Sequence, residues 1–304
     1  MKILVTGGAG FIGSHIVDSY IKLGHKVVVI DNLKTGFKNN LNKKAKFYRT
    51  DIRNLKSIKQ IFKKEKFDIV NHHAAIAEVI KSIKNPLLTI ETNDLGTINL
   101  LVASSENKIK KFIFASTGGA IYGEPKKIPV DENAPAEPLS PYGLSKLLAE
   151  ESIKFYAKNF SFDYLIFRYG NVYGPRQNPK GEAGVIAIFS YLIKNNKQPI
   201  IFGDGSKTRD YVYVKDIVKA NVLGLSKGKN DIINLGCGKE ISDFKVFETI
   251  SKNLNPKIKP IFAHFRPGEV KHITLSNKKA YKVLGWKPQI KFEQGVKIYL
   301  KEIL

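Results

Sequence analysis

A single cysteine, Cys237, stands in the whole chain, which excludes an internal disulfide and a cysteine-rich metal site and leads us to expect a reducing compartment. Long apolar runs are missing as well: no stretch approaches the roughly 18 residues that a membrane-spanning helix needs. Met1 to Val5 reads as the start of a strand and not as a signal peptide, so a cytoplasmic location is the expectation. There is no internal repeat, no low-complexity segment and no arginine-rich block. Acids are scarce, with 27 Asp and Glu against 50 Lys and Arg for a formal net charge of +23. That balance raises the question of a polyanionic partner. The excess, however, is lysine spread singly or in pairs such as Lys43-Lys44, Lys63-Lys64 and Lys126-Lys127, which suits a solvated surface better than a dedicated nucleic-acid face. Nucleic acid is therefore not the expected partner.

What is present is ordinary globular material. With 43% hydrophobic and 25% charged residues, a 304-residue chain has room for one large α/β domain and a smaller lobe. Lys2 to Thr6 is a short apolar run of the kind buried in a parallel sheet, and it opens directly into Gly7-Gly8-Ala9-Gly10-Phe11-Ile12-Gly13. Glycines at this spacing serve a tight turn, close approach of the backbone to a pyrophosphate, and close packing of helix on strand. The helical period that follows (Ile12, Ile16, Val17, Tyr20) would place the phosphates at a helix N-terminus, facing the free N–H groups of Phe11 and Ile12. A second strand, 26–30, ends in Asp31, at the distance where an acid accepts from an adenosine ribose 2′-hydroxyl and repels a 2′-phosphate. NAD is thus the expected cofactor.

Further strands are read over 45–49, leading to Asp51-Ile52, and over 67–71, leading to His72-His73-Ala74-Ala75. Adjacent strand residues point to opposite faces, so His72 and His73 do not make a metal site, and no metal is expected. A long helix over 86–107 carries Asn93, and a strand over 111–115 delivers Ser116-Thr117-Gly118-Gly119 to the sheet edge. Ser140-Pro141-Tyr142-Gly143-Leu144-Ser145-Lys146 then reads as a helix start, with Ser140 as N-cap and Pro141 at the first helical position. Tyr142 and Lys146 stand four residues apart on one helix face, an acid–base pair in which the ammonium is expected to lower the phenol pKa.

In this order, the glycine turn, Asp31, Asp51-Ile52, Ala74-Ala75, Asn93, Ser116-Thr117 and Tyr142-x-x-x-Lys146 resemble the extended short-chain dehydrogenase/reductase family over nearly the whole chain. The runs 116–123, 168–177 and 202–212 are most similar to its UDP-glucose 4-epimerase branch. The resemblance implies a doubly wound, Rossmann-type parallel sheet with a smaller C-terminal substrate-binding lobe. Residues 1–175 would hold NAD, with later returns near 204–238, and 176–304 would form most of the interleaved lobe. It further implies that Gly7, Gly10, Phe11, Ile12, Gly13, Asp31, Asn32, Asp51, Ile52, Ala74, Ala75, Asn93, Ser116, Tyr142, Lys146 and Tyr169 bind the cofactor. Tyr142, Lys146 and a hydroxyl from Thr117, with Ser116 second, would carry the chemistry.

Thr117, Asn171, Val185, Phe202, Arg209, Arg266 and Glu269 would bind a UDP-sugar, and the long helices near Asn93 and Tyr142 would form a homodimer. Related 4,6-dehydratases carry an Asp-Glu pair where this chain has Gly118 and Gly119, so elimination lacks its acid and reversible C4 epimerisation of a UDP-hexose is the implied reaction. The alternatives are another enzyme of the same scaffold, a UDP-glucuronate decarboxylase or an epimerase of N-acetylated or acidic UDP-sugars, and, more remotely, a non-catalytic NAD-dependent or RNA-associated binder.

Overall fold

The computed structural model describes residues 1–181, 184–266 and 270–304. Through the first half, strands and helices alternate: β1 (Lys2–Thr6), α1 (Phe11–Lys22), β2 (Lys26–Asp31), β3 (Lys46–Arg49), α2 (Leu55–Glu65) and β4 (Ile69–His72). Then come α3 (Val79–Lys84), α4 (Pro86–Ile90), α5 (Gly96–Glu106), β5 (Lys111–Thr117), α6 (Pro141–Phe160) and β6 (Asp163–Tyr169). The second half holds β7 (Asn171–Tyr173), α7 (Val185–Lys194), β8 (Ile200–Phe202), β9 (Thr208–Arg209), β10 (Tyr211–Tyr213) and α8 (Val214–Gly224). It closes with β11 (Asp231–Leu235), β12 (Ile241–Ser242), α9 (Asp243–Leu254), β13 (Ile261–Ala263), α10 (Lys278–Leu284) and α11 (Phe292–Ile303).

The main sheet is parallel throughout, in the order β11-β6-β5-β4-β1-β2-β3. From β1 the chain winds outward to β2 and β3, then crosses back to β4 and winds the other way. The order therefore reverses between β1 and β4, and a crevice opens there at the carboxyl ends of the strands. Alternation along each strand covers both faces. Ile3, Val5, Val27 and Val29 pack on one side with Ile16, Val17 and Tyr20 of α1 and with Trp286, whose Nε1 donates to Asp216 O at 2.8 Å. Leu4, Val28, Val70, Phe112 and Phe114 face the other side, under Ile58, Ile61 and Phe62 of α2, Leu100 of α5 and Ile153 of α6. Each fully buried aliphatic contributes roughly 1.5–3 kcal/mol of transfer free energy, so these two faces dominate the stability of the sheet. A separate apolar cluster joins Tyr173 and Tyr213 to α7, α9 and α11 through Ile186, Phe189, Val246, Phe292 and Val296.

Lysines end many of the helices. Lys22, Lys63, Lys64, Lys158, Lys194, Lys252, Lys282 and Lys301 lie in last turns, where the helix carbonyl end favours a cation. This accounts for part of the positive excess without a polyanion. No helix of the described residues is long and apolar enough to cross a membrane.

Two boundaries differ from the sequence reading with consequences for the site. The helix expected over 86–107 is interrupted by a π-helical turn, Glu91–Leu95, which carries Asn93. Strand β5 runs two residues further than expected, through Thr117, because its pairing with β6 continues to Ser116↔Arg168 and Thr117↔Tyr169.

Candidate active site

The turn after β1 is set by Gly7 at φ +68°, where a Cβ would stand 2.7 Å from Ala74 N at the end of β4. Only glycine suits both the left-handed conformation and that approach. Gly10 caps α1 with no side chain on the first amides, so Gly10, Phe11 and Ile12 face a cleft of about 640 Å³ with the helix N–H groups free for an anion. Asp31 ends β2, nearly buried; its Oδ2 accepts from Ala9 N at 3.1 Å and its Oδ1 from Leu33 N at 2.8 Å. Burial raises its pKa above the ordinary value against those two bonds, and each oxygen keeps a lone pair for a ribose hydroxyl. Next to it, Asn32 Nδ2 donates to Asp51 Oδ2 at 3.0 Å, and the bidentate Arg53 guanidinium holds the Asp51 carboxyl down at about 2. Ile52 is buried in the sheet core on the same side. Uncapped amides, a glycine cradle and a ribose-side acid are the donor set a dinucleotide requires, and these residues fit NAD.

The loop after β4 carries Ala74 and Ala75 past the turn, and Asn93 clamps it. Asn93 Oδ1 accepts from Ile76 N at 2.7 Å, while its Nδ2 donates to Ile76 O at 2.9 Å and to Ser145 Oγ at 2.9 Å. Expected to bind the cofactor, Asn93 instead spends its amide on protein and ties the loop to α6. Tyr169, also expected at the cofactor, is buried, with its hydroxyl taking Asn221 Nδ2 at 2.8 Å and lying 3.1 Å from His73 Nε2. His72 is enclosed by Thr6 and Thr97 at 2.6 and 2.9 Å, and burial holds its pKa well below the ordinary value.

Ser140 caps α6 as the sequence predicts, its hydroxyl accepting from Gly143 N at 3.1 Å, and this brings Tyr142 to the cleft. The phenol and the Thr117 hydroxyl line the cleft together, and Thr117 works against the rise that burial imposes on the phenol pKa. Ser116, the second candidate, lines the cleft but sends its hydroxyl the other way, donating to Glu150 Oε1 at 2.5 Å. The longer β5 explains the difference, since consecutive strand residues face opposite sides of the sheet.

The expected depression of the phenol pKa is not what the geometry gives. Burial pushes Tyr142 up to about 12, and Lys146 Nζ donates to Ala115 O at 2.8 Å instead of to the phenol. Neighbouring positions at i and i+4 fix where the Cβ atoms lie, not where a four-carbon stem ends. Lys146 is itself buried, over the Phe114 ring at 4.6 Å, and desolvation pulls it down to about 7 against the opposing field of Glu150.

Asn171, Val185, Phe202, Arg209 and Arg266, expected at a UDP-sugar, line the same cleft. The Arg266 guanidinium stacks on Phe202 at 3.5 Å, and Arg209 Nη1 donates to Thr208 O at 2.7 Å. Glu269 lies outside the described residues. Lys207, ion-paired with Asp243 at 3.2 Å, also lines the cleft, as do Gln177 and Tyr211; nothing in their spacing marked them. Nor was Asp210 marked, whose buried carboxylate accepts from Cys237 N at 2.7 Å, Gly238 N at 2.9 Å and Leu275 N at 3.0 Å. It thereby joins three distant segments beside Asn171. Leu275 closes on Gly118, where a Cβ would stand 2.4 Å from Leu275 Cδ1. No side chain, acidic or hydroxylic, fits at 118 while that leucine is in place. Cys237 is packed, its Sγ directed at Tyr211 O at 3.2 Å, and burial raises its pKa, so the thiol stays inert.

The family model described as "NAD dependent epimerase/dehydratase family" matches residues 3–236. A candidate UDP-glucose 4-epimerase of Methanocaldococcus jannaschii is 50% identical over 295 residues, covering 97% of this chain and 96% of that protein. The UDP-glucose 4-epimerase of Thermotoga maritima, solved with UDP-glucose, superposes with a TM-score of 0.98 at 42% identity, over 100% of this chain and 98% of that one. That of Thermus thermophilus, solved with NAD, gives 0.95 at 38% identity, over 99% and 98%.

Proposed function

Because the chain belongs to the NAD dependent epimerase/dehydratase family, we propose that it interconverts UDP-hexoses at C4, UDP-galactose with UDP-glucose, retaining its cofactor through the cycle. The observation that carries this reading is that two hydroxyls, of Tyr142 and Thr117, line the same cleft as Gly119, next to Gly118. A proton acceptor and a steadying hydroxyl are present there, and no acid stands at 118 or 119 to expel water. Tyr142 as phenolate takes the proton of the 4-hydroxyl as C4 is oxidised, and returns it after the ketone has turned its other face. When bound, NAD supplies reversible hydride exchange with C4. Thr117 fixes the reacting hydroxyl, and Lys146, one helical turn along α6, is a buried cation held on Ala115 O and not on the phenol.

Two guanidinium groups, Arg209 and Arg266, match the two charges of a diphosphate, and Phe202 pre-orients one of them. Anchoring UDP this way, with the small residues Gly119 and Ala120 lining the cleft next to Thr117, leaves the sugar room to rotate. Asn171 would hold the nucleotide-sugar, and Asp31 the adenosine ribose. A homodimer belongs to the same reading. Leu144, Leu148 and Phe155 form an exposed stripe on α6, and Leu87 and Leu95 are exposed on the neighbouring helical stretch. Burying that stripe in a second copy would remove it from water.

Purified protein should convert UDP-galactose to UDP-glucose without added reductant, and Tyr142→Phe should lose at least a thousandfold in kcat while staying folded. A panel including UDP-glucuronate and N-acetylated UDP-hexoses, read by NMR, assigns the sugar. Full turnover by Tyr142→Phe would overturn the assignment.

A further inference from the structure

Tyr142, Lys146 and Glu150 follow one another at four-residue steps along α6, so a phenol, an ammonium and a carboxylate stand in line on one helix face. Glu150 is 0% exposed. Its Oε1 accepts from Ser116 Oγ at 2.5 Å and from Arg168 Nε at 3.0 Å, and its Oε2 from Arg168 Nη2 at 2.6 Å. Arg168 in turn donates through Nη1 to the Tyr122 hydroxyl at 2.9 Å, which donates to Asn234 Oδ1 at 2.8 Å. Lys146 Nζ rests on Ala115 O, one residue before Ser116, so consecutive positions of β5 hold the ammonium and the carboxylate. A buried ion pair gains little stability over apolar residues of the same volume, because desolvation offsets its attraction. Its place in the fold suggests a different use.

The titratable and charged groups around Lys146 are few. On α6 stand Tyr142 and Glu150; from the end of β4 come His72 and His73, both kept neutral by burial; and β6 supplies Arg168 behind Glu150. Among the described residues Glu150 is thus the one anion set against the ammonium, and Arg168 competes for it. We propose that Glu150 is a positioning residue for the reaction: its carboxylate keeps Lys146 charged inside the cleft, and Arg168 sets how much of that field reaches the ammonium. The proposal rests on the reading of Tyr142 and Lys146 as the working acid–base pair. Its physical need is plain, since burial by itself drives Lys146 toward its neutral form.

Two single substitutions pull in opposite directions. Glu150→Gln removes the anion and leaves Arg168 uncompensated, so the Lys146 pKa should fall by about 1 unit; Arg168→Gln frees the carboxylate, and it should rise by about the same amount. The uncharged double variant Glu150→Gln/Arg168→Gln should fall between Glu150→Gln and the parent. The readout is the Nζ resonance of Lys146 in protein carrying ¹⁵N-labelled lysine, identified by its loss in Lys146→Met, together with the alkaline limb of kcat against pH. A purely structural role would lower Tm without producing this order.

The proposal is overturned if the folded variants titrate Lys146 as the parent does, or if both single changes move it the same way. Should neither single variant fold, the double variant decides, and an unshifted Lys146 there refutes it. If the order appears but the parent converts no UDP-hexose, the epimerase reading fails and the charge relation stands; normal turnover without the order sinks the relation alone.

Discussion

Gly118→Ser tests the tightest contact beside the chemistry. Its Cβ would arrive 2.4 Å from Leu275 Cδ1 and 2.8 Å from Cδ2, so one side must move. Leu275 yields only by disturbing its neighbours: it is fully buried with Ile121, Tyr122, Val130, Val270 and Ile273, and its amide is held by Asp210 at 3.0 Å. Its own Cβ already occupies the space beside Gly236. Overpacking of this kind costs about 1–3 kcal/mol. Leu275→Ala alone should cost about 2–5 kcal/mol through the cavity it leaves. In the double variant the serine enters that cavity, so the two losses should fall short of their sum by about 1–2 kcal/mol. If instead the backbone gives way, Thr117 moves with it, because Gly118 N is tied to Tyr169 O at 2.7 Å. Misplacing a reacting group by an ångström costs about a hundredfold in rate, so kcat of Gly118→Ser should drop by that order and recover partly in the double variant. Urea unfolding of the three variants and UDP-galactose conversion check both halves. A Gly118→Ser protein as stable as the parent, or strictly additive losses, would refute the packing argument.

Thr117→Val should lower kcat by about a hundredfold with little change in stability, as the phenol loses its hydroxyl partner. Ser116→Ala should do the reverse, removing about 1–3 kcal/mol by leaving Glu150 short of a donor; chemical denaturation beside turnover separates the two roles. Asp210 is pushed up to about 6 by burial against its three amide bonds, above the 3.8 of an ordinary aspartate. A carboxyl raised in the folded state contributes stability that is complete below about pH 4 and lost as pH climbs through about 6, on the order of 3 kcal/mol. Subtracting the pH–stability curve of Asp210→Asn from that of the parent should expose this slope, and parallel curves would count against it. Arg266→Ala should raise KM for UDP-galactose about tenfold or more with a smaller change in kcat, measured by steady-state kinetics, since the proposed diphosphate contact is made alike in ground and transition states.

The first half of the chain was legible for physical reasons that act locally. The glycine turn, the short apolar strand of Lys2 to Thr6 and the cap at Ser140 each depend on residues within one turn of themselves, and all three stand where the sequence puts them. Strand ends were less legible. That β5 runs to Thr117 depends on β6 continuing to pair with it, and only this separates Thr117, which meets Tyr142, from Ser116, which meets Glu150. Asn93 was marked by resemblance, yet its amide clamps a loop, a role set by a contact to Ile76 across 17 positions.

By itself the sequence determined the α/β winding, the glycine turn after β1, the acid at the end of β2 and the cap that opens α6, because periodicity, capping and glycine sterics are short-range. Tertiary structure alone decided the charge states and the neighbours. Burial sends Tyr142 to about 12 and Lys146 to about 7, opposite to what adjacency on a helix suggests. Leu275 reaches Gly118 and Arg168 reaches Glu150 only once the strands are in register, and desolvation and long-range packing are properties of that assembled interior, written in no single stretch of the chain.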